Sequence, residues 1–366
     1  MVTRISLIVT IFAAVLALVA TANDTALIPA DKSQLNTWFK ANVKPLSTRK
    51  GELDPNLEFA ESAPPKVIKV RQDGSGEFKT ISEAVRSIDV GNSKRIIVSI
   101  GPGVYNERVK IDRTKPFVTL YGLPNNMPKI SFNGNAAHFG TVDSATLIVE
   151  SDYFVAANII VANSSPRPDG KTPGQQALAV RISGDKSAFY NCRFIGFQDT
   201  LCDDRGFHFF KDCYIEGTVD YVFGSGTSLY LNTQLHTLGD SGLTVITAQA
   251  RESNAEDTGY SFIHSSVTGI GNGTYLGRAW KTAPRVIFAF SDISSVVTPA
   301  GWSVNNHPER DQTVVFGEYK NTGVGANPAG RAKFVKQMTD AEVRPFLALG
   351  YIVASRWLLP PPKLAV

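Results

Sequence analysis

Three cysteines in 366 residues are too few, and an odd number, for a disulfide scaffold. Cys192, Cys202 and Cys213 read instead as buried free thiols, with a bridge between Cys192 and Cys213 as the alternative. Five scattered histidines and no Cys/His spacing of the zinc type leave a metal site unsupported. No run of Lys or Arg accompanies the net charge of +4, which argues against nucleic acid as a partner. After the first 22 residues no stretch is apolar enough to cross a bilayer. Those first residues carry Arg4, an apolar run from Ile5 to Ala20, and Ala20-Thr21-Ala22, the pattern of a secretory signal with its cleavage site. The expected mature protein is therefore exported and free of the membrane.

What is present is apolar and turn-rich. The chain is 43% hydrophobic and 19% charged, with 30 Gly and 21 Phe, as suits a large β-rich core. Residues 23–65 are polar and hold Pro29, Pro45, Pro55, Pro64 and Pro65, which reads as an arm or linker before a domain at 66–360. Thr80 and Glu83 make a capping box for a short helix whose apolar face is Ile81, Ala84, Val85 and Ile88. Asn163-Ser-Ser and Asn272-Gly-Thr are glycosylation sequons.

Beyond the helix a column recurs, in which an apolar residue follows a mostly polar one by three. Its members are Asn158/Val161, Asn191/Phe194, Asp212/Ile215, Asn232/Leu235 and His264/Val267, with Phe290/Ile293 degenerate. The steps are 33, 21, 20, 32 and 26 residues, and the flanks are strand-like. Irregular repeats of short strands point to a solenoid, and a parallel β-helix fits. A β-sandwich or barrel is the rival, but few Asn-Gly or Asp-Gly pairs join the strands as hairpins would need. The stack needs end covers; the helix near 80–88 suits one end, and "TDAEVRPFLALGYIV" from Thr339 suits the other.

The 21-residue step lays "CRFIGFQDTL" on "CYIEGTVDYV" and puts Asp199 over Asp220. Neighbouring coils are about 4.8 Å apart. Two carboxylates at about 5 Å repel by about 3 kcal/mol at an effective dielectric of about 20. One then keeps its proton while the other ionises, an acid beside a nucleophile or base. Two solvent-facing aspartates, or a turn cap, remain the alternative on spacing alone. Gln198 adjoins Asp199, and Gln176 lies about one coil earlier; their amides can donate to a developing oxyanion. In "YLGRAW", Arg278 can pair with an aspartate and Trp280 offers a flat wall for a sugar ring.

Five motifs then resemble one family, the plant pectin methylesterases, or pectinesterases. "GPGVYNERV" is similar to its G-x-Y-x-E segment, "GQQALAVRI" to Q-A-V-A-L, and "GFQDTL" carries Q-D-T-L. "GTVDYVFG" is similar to G-T-V-D-F-I-F-G, and "YLGRAW" to L-G-R-P-W; all occur in order between Lys66 and Leu359. The resemblance implies a right-handed parallel β-helix, all-β with short capping helices, that uses no metal or other cofactor. It implies Asp220 as nucleophile, Asp199 as acid/base and Gln198 as the oxyanion donor. Gln176 would assist Gln198 and contact substrate, with Arg278 and Trp280 as the substrate-site pair. "GTVDSAT" resembles T-T-F-x-S-A-T, which implies Thr141 as a further substrate contact.

The implied reaction is hydrolysis of C6 methyl esters of homogalacturonan to methanol and de-esterified pectin in the cell wall. The implied partners are methylesterified pectin and a four-helix inhibitor protein, met by a monomer. The arm is too short for the inhibitor-like pro-domain of many relatives. Three departures stand out. Ala279 replaces a proline and loosens one backbone angle, Cys202 replaces a tyrosine, and Asp203 with Asp204 should make that loop more acidic than is typical, with a bearing on subsite preference. The rival pectin chemistries, lyase and polygalacturonase, would need more carboxylates, and a non-catalytic wall-binding β-helix would not need the five polar site residues together.

Overall fold

The computed structural model describes residues 22–239 and 242–364. The expected signal segment lies almost wholly outside them. All 27 strands of the described residues belong to three parallel sheets of eleven, eight and eight strands. The chain visits the sheets in rotation. Ser187–Tyr190 lies in the eleven-stranded flank sheet, Arg193–Ile195 in a second, bridging sheet, and Leu201–Asp203 in a third, the site sheet. Phe207–Lys211, Tyr214–Gly217 and Val222–Gly224 then repeat the circuit one coil on. This is the all-β, right-handed parallel β-helix, the hand that strand twist favours for parallel crossovers.

The register confirms the recurring column. Val161, Phe194, Ile215, Leu235, Val267 and Ile293 are successive partners in the bridging sheet, and all are buried. The residues three before them turn the chain from flank sheet to bridging sheet in the left-handed region, with φ between 50° at Asn191 and 59° at Asn158. Asn and Asp tolerate that region best among residues with a Cβ. Their side chains link the coils: Asn191 Nδ2 donates to Asn158 Oδ1 at 2.8 Å, and Asn232 Nδ2 to Asp212 Oδ1 at 2.6 Å. Inside, Phe189, Phe210, Tyr230, Phe262 and Phe288 stack ring on ring with centroids 5.0, 4.4, 4.4 and 4.6 Å apart. Rung spacing sets that distance. Cys192, Cys202 and Cys213 are free and buried.

Ile81–Arg86 forms the expected helix, with the Thr80–Glu83 capping box in place. It buries Ile81, Ala84 and Val85 against the first coils. Glu107, of the G-x-Y-x-E segment, accepts from the Ile81 and Ser82 amides at 2.9 and 2.8 Å. A carboxylate at these orphan N–H groups is favourable.

The opposite end differs from expectation. Asp340–Val343 is helical and capped by Thr339, but the following chain does not cover the last coil. It runs back over the outer face of the flank sheet, where Leu347, Leu349, Ile352, Trp357 and Leu358 join Phe209, Leu229, Ile263 and Ile287 in a second core. The reason is two-sided burial. The flank strands are apolar on both faces, as Phe209 and Phe210 show, so the outer face also needs a cover. The last coil is closed instead by Ala326, Phe334 and Val335, which pack on the interior.

The same outer face receives residues of the expected arm. Helices Leu35–Asn42 and Pro55–Ala60 bury Leu35, Phe39, Leu57 and Ala60 there, and the Phe39 ring stacks on Phe209 at 5.9 Å. Among the described residues no helix is long and apolar enough to cross a membrane.

Candidate active site

Asp199 and Asp220 occupy equivalent places on consecutive coils. Each precedes a strand of the site sheet by two residues, and Leu201 pairs with Val222. The Asp199 amide donates to Val219 O at 3.0 Å. Both aspartates take positive φ, 66° and 49°, a conformation that turns the chain sharply from bridging sheet to site sheet. Gly217 permits that turn, because a Cβ there would sit 2.2 Å from Tyr221 Cβ. The strands therefore hold the two side chains one rung apart at one mouth of the sheet.

Both carboxyls are nearly buried, at 8% and 6% exposure. Their neighbours differ. Arg278, at the end of strand Tyr275–Arg278, donates from Nε to Asp220 Oδ1 at 2.8 Å and from Nη2 to Oδ2. This two-pronged contact fixes the carboxylate plane. Burial pushes the Asp220 carboxyl upward, and the guanidinium opposes that push. Asp199 is pushed well above the usual carboxylate range by burial, and the charge of Asp220 adds to it. Of the pair, Asp199 is the one pushed further toward its protonated form.

A cleft of about 180 Å³ opens over the pair. It brings together all seven residues singled out from the sequence: Thr141, Gln176, Gln198, Asp199, Asp220, Arg278 and Trp280. Phe223 and Ala248 complete its floor. Sequence reasoning missed both, although Phe223 stands in the G-T-V-D motif and alternation turns it outward from buried Val222.

Thr141 lies between helix Ala136–Phe139 and the turn Val142–Ser144. That segment is tied to the one carrying Gln176 by Ala136 N to Gln176 O and Ala137 N to Gly174 O, both at 2.8 Å. Gly174, with φ of 78°, is required because a Cβ would lie 2.9 Å from Ala137. Trp280 is 49% exposed at the rim, and the Arg278 guanidinium lies 5.0 Å from its ring centre. Among the described residues no group of three or more His, Cys, Asp or Glu is placed to hold a metal ion.

The structure refines three readings of the sequence. Asp203 does not make the cleft acidic. It faces the interior at 0% exposure, where its carboxylate bonds His208 Nδ1 at 2.5 Å and the Tyr230 hydroxyl at 2.6 Å. Alternation from buried Leu201 puts Asp203 on the inner face, and Asp204 is only partly exposed beside Arg205. Asn163 is not an open sequon. It is 5% exposed, and its Nδ2 donates to the carbonyls of Gly134, Ser144 and Leu178 at 2.8, 3.2 and 2.9 Å, so a glycan has no place in the folded chain. Asn272, by contrast, is exposed in a turn. Ala279, finally, does more than loosen an angle. Its amide donates to Ser303 O at 2.8 Å, a bond that proline could not make.

Comparison with known proteins agrees with this geometry. The Pectinesterase family model matches residues 67–355, the span that contains every coil and the whole cleft. Putative pectinesterase 63 of Arabidopsis thaliana is 54% identical over 360 residues, covering 98% of each chain. Pectinesterase 2 of Olea europaea is 54% identical over 341 residues, covering 93% of each. Among solved structures, pectin methylesterase from carrot superposes with a TM-score of 0.71 at 30% identity, over 79% of this chain and 94% of its own. With fold, register and motif order in agreement, the chain belongs to the pectinesterase family of carboxylic ester hydrolases.

Proposed function

We propose that the cleft hydrolyses C6 methyl esters of homogalacturonan in the cell wall, with Asp220 as nucleophile and Asp199 as acid and then base. The observation that carries this division of roles is the Arg278 contact on Asp220 alone, beside a second buried carboxyl one rung away. Ionised Asp220 attacks the ester carbonyl carbon and forms an acyl–oxygen bond. Charge moves to the carbonyl oxygen, where Gln198 and Gln176 donate from the cleft wall. Protonated Asp199 gives its proton to the leaving methoxide as the C–O bond breaks, and methanol departs. Asp199, now a base, takes a proton from water. The hydroxide attacks the substrate acyl carbon of the anhydride and Asp220 leaves as carboxylate, while Asp199 keeps the proton it took from water. Trp280 supplies a face for the sugar ring, and Thr141, which lines the same cleft, contacts substrate.

The domain division follows the same reading. Residues 1–22 direct export and are removed, residues 23–65 are an arm, and 66–360 are the catalytic β-helix. The mature monomer acts outside the cell on methylesterified pectin, under a proteinaceous inhibitor, with no cofactor. The test is methanol release from methylated homogalacturonan by the wild type and Asp220→Asn. Release by the wild type and its loss in the folded variant support the proposal; full release by the variant removes Asp220 from the mechanism.

A further inference from the structure

Arg278 has a third contact that no motif marks. Its Nη1 donates to Asn305 Oδ1 at 2.9 Å. Guanidinium has only donors, so the amide oxygen must be the atom that faces it. Nε and Nη2 are then left for the two oxygens of Asp220, and the guanidinium is held from both sides.

The support for Asn305 is built into the last rungs. Strand Trp302–Ser303 pairs with the site strand, Arg278 beside Ser303. The Ala279 amide bonds Ser303 O, and the Asn305 amide bonds Ser303 Oγ at 3.0 Å. Asn305 then takes φ of 57°, the left-handed region that asparagine accepts readily, and this turn aims its side chain at the guanidinium. Asn305 is not among the residues lining the cleft over the aspartates. Its action on the reaction would pass through Arg278.

We infer that Asn305 is a positioning residue that sets the guanidinium plane of Arg278, and through it the orientation and charge of the Asp220 nucleophile. The inference rests on the ester-hydrolysis reading of the cleft. Asn305→Gly keeps the left-handed turn and removes only the acceptor. In this variant kcat should fall about tenfold, with KM nearly unchanged. Asn305→Asp keeps the shape but adds an anion that competes with Asp220 for the same cation. Asp220 is then harder to ionise, so the acid limb of the kcat/KM–pH profile should move to higher pH.

Both variants are assayed for methanol release from methylated pectin across pH, with their melting temperatures recorded beside the wild type. Reduced kcat at unchanged KM in Asn305→Gly, with a raised acid limb in Asn305→Asp, supports the assignment. Wild-type kcat in Asn305→Gly, or an unmoved acid limb in a folded Asn305→Asp, overturns it. A wild type that releases no methanol defeats the reading of the cleft instead, so the two failures are distinct.

Discussion

Two columns of turns run up this solenoid, and both use mainly acidic or amide residues at positive φ. Between flank and bridging sheets stand Asn158, Asn191, Asp212 and Asn232; between bridging and site sheets stand Asp199 and Asp220. The backbone problem is the same, a sharp turn repeated at rung spacing. The side chains meet different surroundings. In the first column amide donors face carbonyl or carboxylate acceptors of the preceding coil, in partial contact with water. In the second, two acceptor groups face each other in a nearly buried cleft with Arg278 on one of them. The first arrangement satisfies its polar groups and contributes stability. The second opposes folding, because burial pushes both carboxyls upward, Asp199 further than the Arg278-bound Asp220.

The strongest way to break the comparison is Asp220→Asn. On the proposed mechanism this removes the nucleophile, and kcat should drop by at least about 10³-fold. The fold should persist, because the turn accepts Asn; thermal melting beside methanol release checks both. Asp203→Asn should do the reverse. It lies four residues after Asp199 and is still more deeply buried, but it is bonded to His208 and Tyr230 in the interior. Removing one charge from that pair should cost about 3 kcal/mol of stability, with the activity of the folded fraction unchanged. The His208 imidazolium is stabilised by Asp203, which raises its pKa above 6.5 against the cost of burial. Its stabilising contribution is complete below that value and is lost as pH rises through the raised one. Denaturant melts at several pH values should show this slope in the wild type and its absence in Asp203→Asn.

Asp199→Asn sharpens the contrast in a different way. Methanol release should fall by about 10²-fold, the usual scale for a lost acid–base group. Stability should rise at neutral pH. A carboxyl whose folded pKa is raised binds its proton more tightly in the native state, so the wild type loses stability as pH climbs above the ordinary value of 3.8. The variant lacks that loss. Its melting temperature should match the wild type near pH 3.5 and exceed it by a growing margin above, which paired thermal scans would reveal.

Much of this was legible in the sequence because a solenoid repeats register. The offset of 21 residues recurs as Phe189 on Phe210, Phe194 on Ile215 and Leu201 on Val222, so the two aspartates had to coincide. What stayed hidden depends on contacts far apart in the chain. Asp203 resembles a loop residue in "CDDRG" until Leu201–Asp203 is read as a strand, and its partner Tyr230 stands 27 residues on. The sequon at Asn163 says nothing of the three carbonyls that surround its amide. Asn305 reaches Arg278 from 27 residues away, in no motif. The return of the C-terminal segment over the flank sheet did leave a sign. "FHFF" does not alternate, and a strand apolar on both faces needs a cover on both.

The smallest effect tests the structural column by itself. Asn191→Ala removes the amide bond to Asn158 and places a Cβ without a polar side chain at φ of 50°. Each loss is worth about 1 kcal/mol, so the variant should be destabilised by about 2 kcal/mol. Asn191→Gly relieves the backbone part and should recover about half of that. Neither change should alter kcat or KM, since the turn lies across the bridging sheet from the cleft. Urea melts give the two stabilities, and methanol release gives the activity. If Asn191→Ala reduced kcat in the folded protein, the coils would be transmitting strain from one column to the other, and the division into a stabilising ladder and a functional pair would fail. If Gly and Ala were equally destabilising, the amide ladder alone would hold the coils, and the left-handed turn would cost the chain nothing.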